Sequence, residues 1–333
     1  MANRLSGPLG LVALGAFLVV DVALVGLALR STAAEPSGTG VPGAARARPA
    51  AESGVAAGGA GAASPTSGTT DSAPATQAPT SGSPAEDSLL EPTPVTVGLV
   101  AVDDTTAWRF TTGSCDDGGS TLAVSEDGAQ TWQPRVAPFD TTVRVRVRDN
   151  GSAAFAIGGD SDCRPRFRQT RDAAQTWDRP VAVPGAWHRD LQDPAVVGTA
   201  AGTRAKPCGG AGVVDLAVDD DSALALCADG RLRGSGTGTS WMDEGTVDGA
   251  LAVALAGDKS LALLAAPDCA GLAVVDATDP GTALGCAPLD LAGVGSGQVS
   301  LAATGDAVWV TAGDTTLRSS GDLSEWSGGP QEG

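Results

Sequence analysis

The chain has 333 residues, with 39 Asp plus Glu against 21 Lys plus Arg, a formal net charge of −18, no Tyr and a single His. An acidic balance of this size opposes a phosphate-binding surface and excludes nucleic acid as the expected partner. With only His188, Lys206 and Lys259 beside the carboxylates, Arg and hydroxyls, little remains for general acid–base or Schiff-base chemistry.

In chain order, residues 1–7 form a short tail and Pro8 to Leu29 an apolar run broken only by Asp21. Twenty-two such residues are long enough to cross a bilayer as a helix, so 8–29 is expected to be a signal anchor. A cleaved signal peptide is the alternative, because Ser31-Thr32-Ala33 has the small-x-small form of a cleavage site, although the apolar run is long for one. Arg4 precedes the run while Arg30, Arg46 and Arg48 follow it, so flanking charge alone does not favour an exported C-terminus.

Residues 30–92 are an Ala, Gly, Pro, Ser and Thr mixture without an aromatic residue. Such a segment cannot bury enough apolar surface to offset its ordering entropy and is expected to be a disordered tether. It holds, with the first 29 residues, only −3 of the charge, leaving −15 on residues 93–333. The Ala, Gly, Asp and Arg richness is that of a high-GC bacterial chain.

All six cysteines, Cys115, Cys163, Cys208, Cys227, Cys269 and Cys286, fall after residue 92, and none is spaced Cys-x-x-Cys. An even count without metal spacing points to disulfides and an oxidising compartment. Fifteen connectivities are open; pairing in sequence order is expected, best supported for Cys208 with Cys227 and Cys269 with Cys286. Buried free thiols are the alternative. Linker and cysteines together set the expected location: a single-pass cell-membrane protein with its C-terminal domain outside the cytoplasm.

Four tryptophans end similar segments: Ser125 to Trp132 (SEDGAQTW), Thr170 to Trp177 (TRDAAQTW), Gly234 to Trp241 (GSGTGTSW) and Ser319 to Trp326 (SSGDLSEW). A fifth, Ala277 to Leu284, keeps Asp279 and Gly281 but ends in Leu. The anchors at 132, 177, 241, 284 and 326 are spaced by 45, 64, 43 and 42 residues. One period recurs, with a surplus of roughly 20 residues that falls on Trp187 to Gly210 and is expected to be an inserted loop.

These segments resemble the Asp-box, or BNR, repeat, whose pattern is Ser/Thr-x-Asp-x-Gly-x-Thr-Trp. The first two copies match at Ser125, Asp127, Thr131 and Trp132 and at Thr170, Asp172, Thr176 and Trp177; Ala129 and Ala174 replace the Gly. The resemblance, which covers residues 93–330, implies a β-propeller like those of sialidases, sortilin-like receptors and photosystem assembly factors. Physically, the box Asp accepts hydrogen bonds from turn amides and the Trp packs beneath, which is a structural role.

Upstream of each box lies a pair of β-rich runs: 95–102 with 107–111, 143–148 with 153–157, 213–218 with 223–227, 251–255 with 261–265, and 299–303 with 308–311. Turn residues such as Asp149-Asn150-Gly151 and Gly257-Asp258-Lys259 divide them. Two further strands from each box hairpin give four per repeat, so the domain 93–330 is expected to be all-β, a propeller of about five four-stranded blades. Closure is expected through residues Leu89 to Thr96 completing the sheet that contains Trp326.

The expected function is non-catalytic binding or scaffolding of an envelope or extracellular protein or glycan, since a fold alone confers no chemistry. The alternative is a glycoside hydrolase using two carboxylates among Asp103, Asp104, Asp116, Asp117 and Asp219 to Asp221; the absence of Tyr opposes a Tyr-nucleophile sialidase. Calcium binding by the Asp clusters lacks any recognised loop spacing, so no metal and no cofactor are expected. His188-Arg189-Asp190 in the expected inserted loop receives no role. Val143-Arg144-Val145-Arg146-Val147-Arg148 would place three Arg on one face of a strand, either as an anion contact or as a solvated outer face.

Overall fold

The computed structural model describes residues 91–148, 151–219, 222–305 and 307–330. The expected membrane segment 8–29, the linker up to residue 90, and Asp149, Asn150, Asp220 and Asp221 lie outside them. Among the described residues, no helix is long and apolar enough to cross a membrane.

The period-2 runs form antiparallel meanders, five of them four-stranded. Blade 1 comprises β1 (Val97–Ala101), β2 (Ala107–Thr111), β3 (Leu122–Ser125) and β4 (Gln133–Arg135); blade 2 comprises β5 (Thr141–Arg148), β6 (Ala153–Gly159), β7 (Arg166–Thr170) and β8 (Val181–Ala182). Blade 4 is β12 (Val213–Asp219), β13 (Ser222–Cys227), β14 (Arg231–Ser235) and β15 (Met242–Thr246). Blade 5 is β16 (Ala250–Ala256), β17 (Lys259–Ala265), β18 (Leu272–Asp276) and β19 (Asp279–Ala287), and blade 6 is β20 (Val299–Ala303), β21 (Ala307–Ala312), β22 (Thr315–Ser320) and β23 (Ser327–Pro330). Between blades 2 and 4 stands a three-stranded sheet of β9 (His188–Arg189), β10 (Val197–Gly198) and β11 (Arg204–Ala205). Inner strands β1, β5, β9, β12, β16 and β20 neighbour one another in that order and β20 returns to β1, giving a closed ring.

The propeller therefore has six blades, not five. The stretch Trp187 to Gly210, expected to be a loop, is blade 3. Its strands pair over only two residues each, too few to show an alternating pattern, and it lacks a fourth strand with a Trp-bearing turn.

Its odd strand number reverses its polarity. The β9–β10 turn lies beside the start of β12, where Val213 N–H donates to Pro194 O at 2.7 Å, and Leu191 lies against Gly159 at the end of β6. The opposite end of β10, Thr199, sits against Gly238 in the β14–β15 turn. Thus β9 runs against the other five inner strands, which lets the chain leave blade 3 where β12 must begin.

Inner and middle strands are buried on both faces because each blade is sandwiched between two others. β2, β3 and β21 are buried almost throughout, whereas β15 is exposed along its length. Apolar clusters fill the junctions: Trp108, Phe110, Val124 and Val145 between blades 1 and 2, Leu226, Leu232, Val253 and Val275 between blades 4 and 5, and Leu251, Leu263, Val299 and Val310 between blades 5 and 6. Smaller ones join blades 3 to 4 and 6 to 1. Each fully buried Leu or Val contributes about 1.5–3 kcal/mol. Among the described residues no such cluster joins blades 2 and 3.

Closure differs from the expected strand exchange. The sheet containing β23 is built from residues 299–330 alone. Residues 93–96 form no strand in it; Thr96 N–H donates to Gly297 O at 2.6 Å and Thr93 Oγ1 meets Ser296 Oγ at 2.8 Å. Blades 6 and 1 also meet through Trp309 Nε1–H donating to Asp103 O at 3.1 Å and through Arg109, which donates to Gly313 O.

Candidate functional site: turns, axial channel and a basic sector

The Trp-bearing segments connect the third and fourth strands of their blades. In the first, Asp127 Oδ1 accepts Ser125 Oγ–H at 2.9 Å, Gln130 N–H at 3.1 Å and Thr131 N–H at 2.9 Å, while Oδ2 accepts Thr131 Oγ1–H at 2.6 Å. In the second, Asp172 takes Thr170 Oγ1–H at 2.7 Å, Thr176 N–H at 3.0 Å and Thr176 Oγ1–H at 2.6 Å. The bonds from Thr176, then from Thr170, hold the Asp172 carboxyl down at about 2, and those from Thr131 lower Asp127. Ala129 and Ala174, at the Gly position of the pattern, are buried and take positive φ of 68° and 62°. Their strain is offset by burial of the methyl group.

Each Trp seals its blade to the preceding one. Trp132 packs with Ala302 and Trp309 of blade 6, Trp177 with the blade 1 cluster, donating from Nε1 to Val136 O at 2.8 Å, and Trp326 with the cluster of blades 5 and 6. Trp241 meets Trp187 of the segment entering blade 3 edge-on, with centroids 5.5 Å apart. Two segments differ from this arrangement. Around Trp241, Ser235 Oγ accepts Gly238 N–H at 2.9 Å and donates to Ser240 O at 2.6 Å, with no Asp involved. In blade 5 the turn carboxylate is Asp276, accepting Thr278 N–H at 2.8 Å and Oγ1–H at 2.7 Å; Asp279 and Gly281 lie exposed in β19, and Leu284 is 44% exposed. Without an indole the fifth segment has nothing to insert.

The cysteines pair in sequence order. Cys115–Cys163 joins the β2–β3 and β6–β7 loops of blades 1 and 2, Cys208–Cys227 ties blade 3 to blade 4, and Cys269–Cys286 lies within blade 5.

The described carboxylates among those considered for hydrolysis are not brought together. Asp103 and Asp104 follow β1 and Asp116 and Asp117 follow β2, so consecutive turns of the meander put them at opposite ends of blade 1. Asp103 is turned into its own loop, accepting Thr105 N–H, Thr105 Oγ1–H and Thr106 N–H at 2.7–2.9 Å. Asp219 ends β12 in blade 4, across the ring. Among the described residues no three His, Cys, Asp or Glu side chains gather as a metal site would require.

A cavity of about 290 Å³ runs along the axis, walled by the inner strands. Its polar groups come mostly from blades 2, 3 and 4. At one end Val95 lies across the axis: its N–H donates to Val214 O at 2.9 Å, and its carbonyl accepts Arg189 Nη2–H at 2.6 Å. Asp215 accepts Leu216 N–H at 2.8 Å and Val253 N–H at 3.0 Å. Burial raises Asp215 against the pull of these amides and of Arg189, and burial lowers Arg189. Both residues retain some surface, which faces the cavity. Sequence reasoning gave no role to Arg189 and did not single out Asp215; the available signal was a lone Asp inside the apolar run Val213 to Val218.

Arg144, Arg146 and Arg148 share one face of β5, as expected, but that face looks toward blade 3. The guanidinium of Arg144 lies 5.4 Å from the Phe155 centroid and donates to Trp187 O; Arg148, at the exposed end, lies 5.7 Å from the same ring. His188 crosses Gly198, donating from Nδ1 to Ala186 O at 2.8 Å, and burial lowers its pKa. It separates the axial cavity from a second one of about 270 Å³ between blades 2 and 3, where Arg204 pairs with Asp190 at 2.7 Å. Residues 141–212 carry eleven Arg or Lys against seven Asp, while 91–140 and 213–333 together carry six against 26 acids. The wheel has one basic sector of +4 in a body of −20.

No protein-family model matches the chain, and no curated protein matches it in sequence. Among solved structures it is similar to YCF48 bound to a D1 peptide, at 18% identity and a TM-score of 0.38 over 72% of this chain and 82% of that one. It is likewise similar to YCF48 from Cyanidioschyzon merolae, at 16% and 0.35 over 71% and 86%. A mutant Aleuria aurantia lectin in complex with Fucalpha1-6GlcNAc gives 10% and 0.40 over 71% and 95%. TM-scores this low carry no argument, and the propeller stands on its own strand topology.

Proposed function

We propose that this chain is an Asp-box propeller that binds or scaffolds an envelope or extracellular protein or glycan without catalysing a reaction. In this reading residues 8–29 anchor it in a cell membrane, bacterial in origin, with the propeller on the extracytoplasmic side. The observation that carries the non-catalytic reading is the use of the carboxylates: Asp103, Asp127, Asp172 and Asp276 close turns, and both oxygens of Asp215 serve backbone amides. A two-carboxylate hydrolase needs one group free as acid and another free as base or nucleophile, facing each other across a bond. Among the described residues, no pair in the channel supports that alternative.

The turn geometry around Asp127 and Asp172 supports the Asp-box reading, and three disulfides support an oxidising compartment. The test is in-cell crosslinking of the full chain followed by capture. A defined envelope protein or glycan recovered with wild type is the expected result. Turnover of an aryl glycoside panel by the purified chain, lost on changing a single carboxylate, refutes the reading. Maleimide labelling of intact cells tests topology: thiols that appear only after reductant support export, and six thiols reactive without reductant after lysis oppose it.

A further inference from the structure

The junction between blades 2 and 3 holds a half-buried cation where the other junctions bury apolar clusters. Arg144 sits deep on β5, its guanidinium against the Phe155 ring and one N–H held by Trp187 O. Among the described residues Trp187 O is its only hydrogen-bond acceptor and no carboxylate pairs with it. Neighbouring arginines are matched elsewhere, Arg204 with Asp190 and Arg168 with Asp160. The charge that acts most on Arg144 is another cation, Arg146, and burial with this repulsion pushes its pKa down to about 9. An unpaired cation withdrawn from most of its water is unfavourable unless a counter-charge and acceptors are supplied.

The surroundings leave room for one. Arg144 lines the axial cavity of about 290 Å³, at the lower end of the range of small-ligand sites and far too small for a polymer. Of the two described carboxylates that line the cavity, Asp215 is committed to two amides and Asp219 makes no ion pair with Arg144, so neither neutralises it. A planar guanidinium stacked on an aromatic face presents its N–H edges in the fork that matches a two-oxygen acceptor.

We infer that the axial cavity is a binding site for a small oxyanion, a carboxylate or inorganic phosphate, held by Arg144. The bound anion completes the coordination of the guanidinium whose other contact is the carbonyl at the entrance to blade 3. Occupancy therefore tightens the one junction that lacks an apolar cluster, and it stabilises the native state in proportion to ligand concentration. The inference is independent of the partner that the outer surface docks.

The test uses the purified full chain. Thermal unfolding is followed in sodium acetate, sodium succinate and sodium phosphate against sodium chloride of matched ionic strength, and the fluoroacetate ¹⁹F line is followed by NMR. The expected result is a saturable rise in Tm with at least one oxyanion beyond that in chloride, and a broadened ¹⁹F line that the same anion sharpens by competition. Response to acetate or succinate alone assigns an organic acid, and response to phosphate alone assigns phosphate. Arg144→Met removes the response; Arg144→Lys, which keeps the charge without the fork, weakens apparent affinity about tenfold or more; Arg204→Gln, outside the axis, leaves it intact. No oxyanion-specific effect in wild type, or an equal one in Arg144→Met, overturns the inference. If Arg144→Met does not fold, unchanged affinity in Arg144→Lys overturns it.

Discussion

Gly198→Ala tests blade 3 directly. β10 places Gly198 opposite His188 on β9, and a Cβ at position 198 would lie 2.0 Å from His188 Cε1 and 2.6 Å from both ring nitrogens. Ordinary carbon contacts are about 3.5–4.0 Å, so the ring has to move by well over 1 Å. The ring is buried and tied to Ala186 O, so it has no free direction. Overpacking of this kind costs about 1–3 kcal/mol. For a domain of this size each kcal/mol lowers Tm by roughly 2–4 °C, so a cost of about 2 kcal/mol corresponds to roughly 4–8 °C.

The cycle is completed by His188→Ala, which destabilises by loss of packing and of the bond to Ala186 O, and by the double variant, in which the new methyl occupies the vacated space. The double variant is expected to be at least about 1 kcal/mol more stable than the two single costs added together. Urea unfolding followed by tryptophan fluorescence gives the four stabilities. If Gly198→Ala is neutral, or if the two costs add, His188 and Gly198 do not face each other and blade 3 is wrongly placed.

Three more expectations follow from the same geometry. His188 has a folded pKa below its unfolded value of 6.5, so the unfolded chain takes up its proton first as pH falls; stability should decline as pH drops below about 6.5 toward the folded pKa, and His188→Gln should flatten that limb in pH-dependent urea titrations. The carboxyl of Asp172 is depressed to about 2, so its contribution is complete above the usual carboxylate value of 3.8 and is lost as pH falls toward 2. Asp172→Asn should lower Tm at neutral pH and narrow the gap to wild type in acid; a gap unchanged down to pH 2 would oppose this account of the turn. Replacing both Cys115 and Cys163 by Ser opens a loop spanning a sequence separation of 48 residues and should destabilise by about 4 kcal/mol in the chain-entropy account, against about 3 kcal/mol for the shorter Cys208–Cys227 loop. Wild type under reductant loses all three bridges and should be destabilised by more than either pair of Ser replacements, read by calorimetry.

The propeller was legible because the anchors at 132, 177, 241, 284 and 326 recur near one period apart from a single 64-residue gap, and each is preceded by two β-rich runs. The count was misread because blade 3 has neither signal: two-residue ladders cannot display alternation, and with no third-to-fourth-strand turn there is no place for a Trp. Leu284 was misleading in another way, since Asp279 and Gly281 imitate a turn that Asp276 makes three residues earlier. The strand pairs of the other five blades match the expected runs closely, because their apolar stretches end at turn residues that physically end the ladders. Arg144 to Arg148 were placed on one face correctly, but sequence could not tell an outer face from one turned toward a neighbour, since only the ring closure decides what lies opposite.

The partition of charge between residues 141–212 and the remainder has an effect that net charge alone hides. A body of −20 with a +4 sector on one side has a large dipole moment as well as a repulsive monopole. In the field of a charged wall or partner it experiences a torque, and the torque acts before contact, over distances set by the screening length of about 8 Å in physiological salt. Approaching an anionic surface, the domain is retarded as a whole yet turned so that blades 2 and 3 lead. Raising the salt weakens both effects together, so an encounter that depends on this orientation changes in rate and in geometry at the same time.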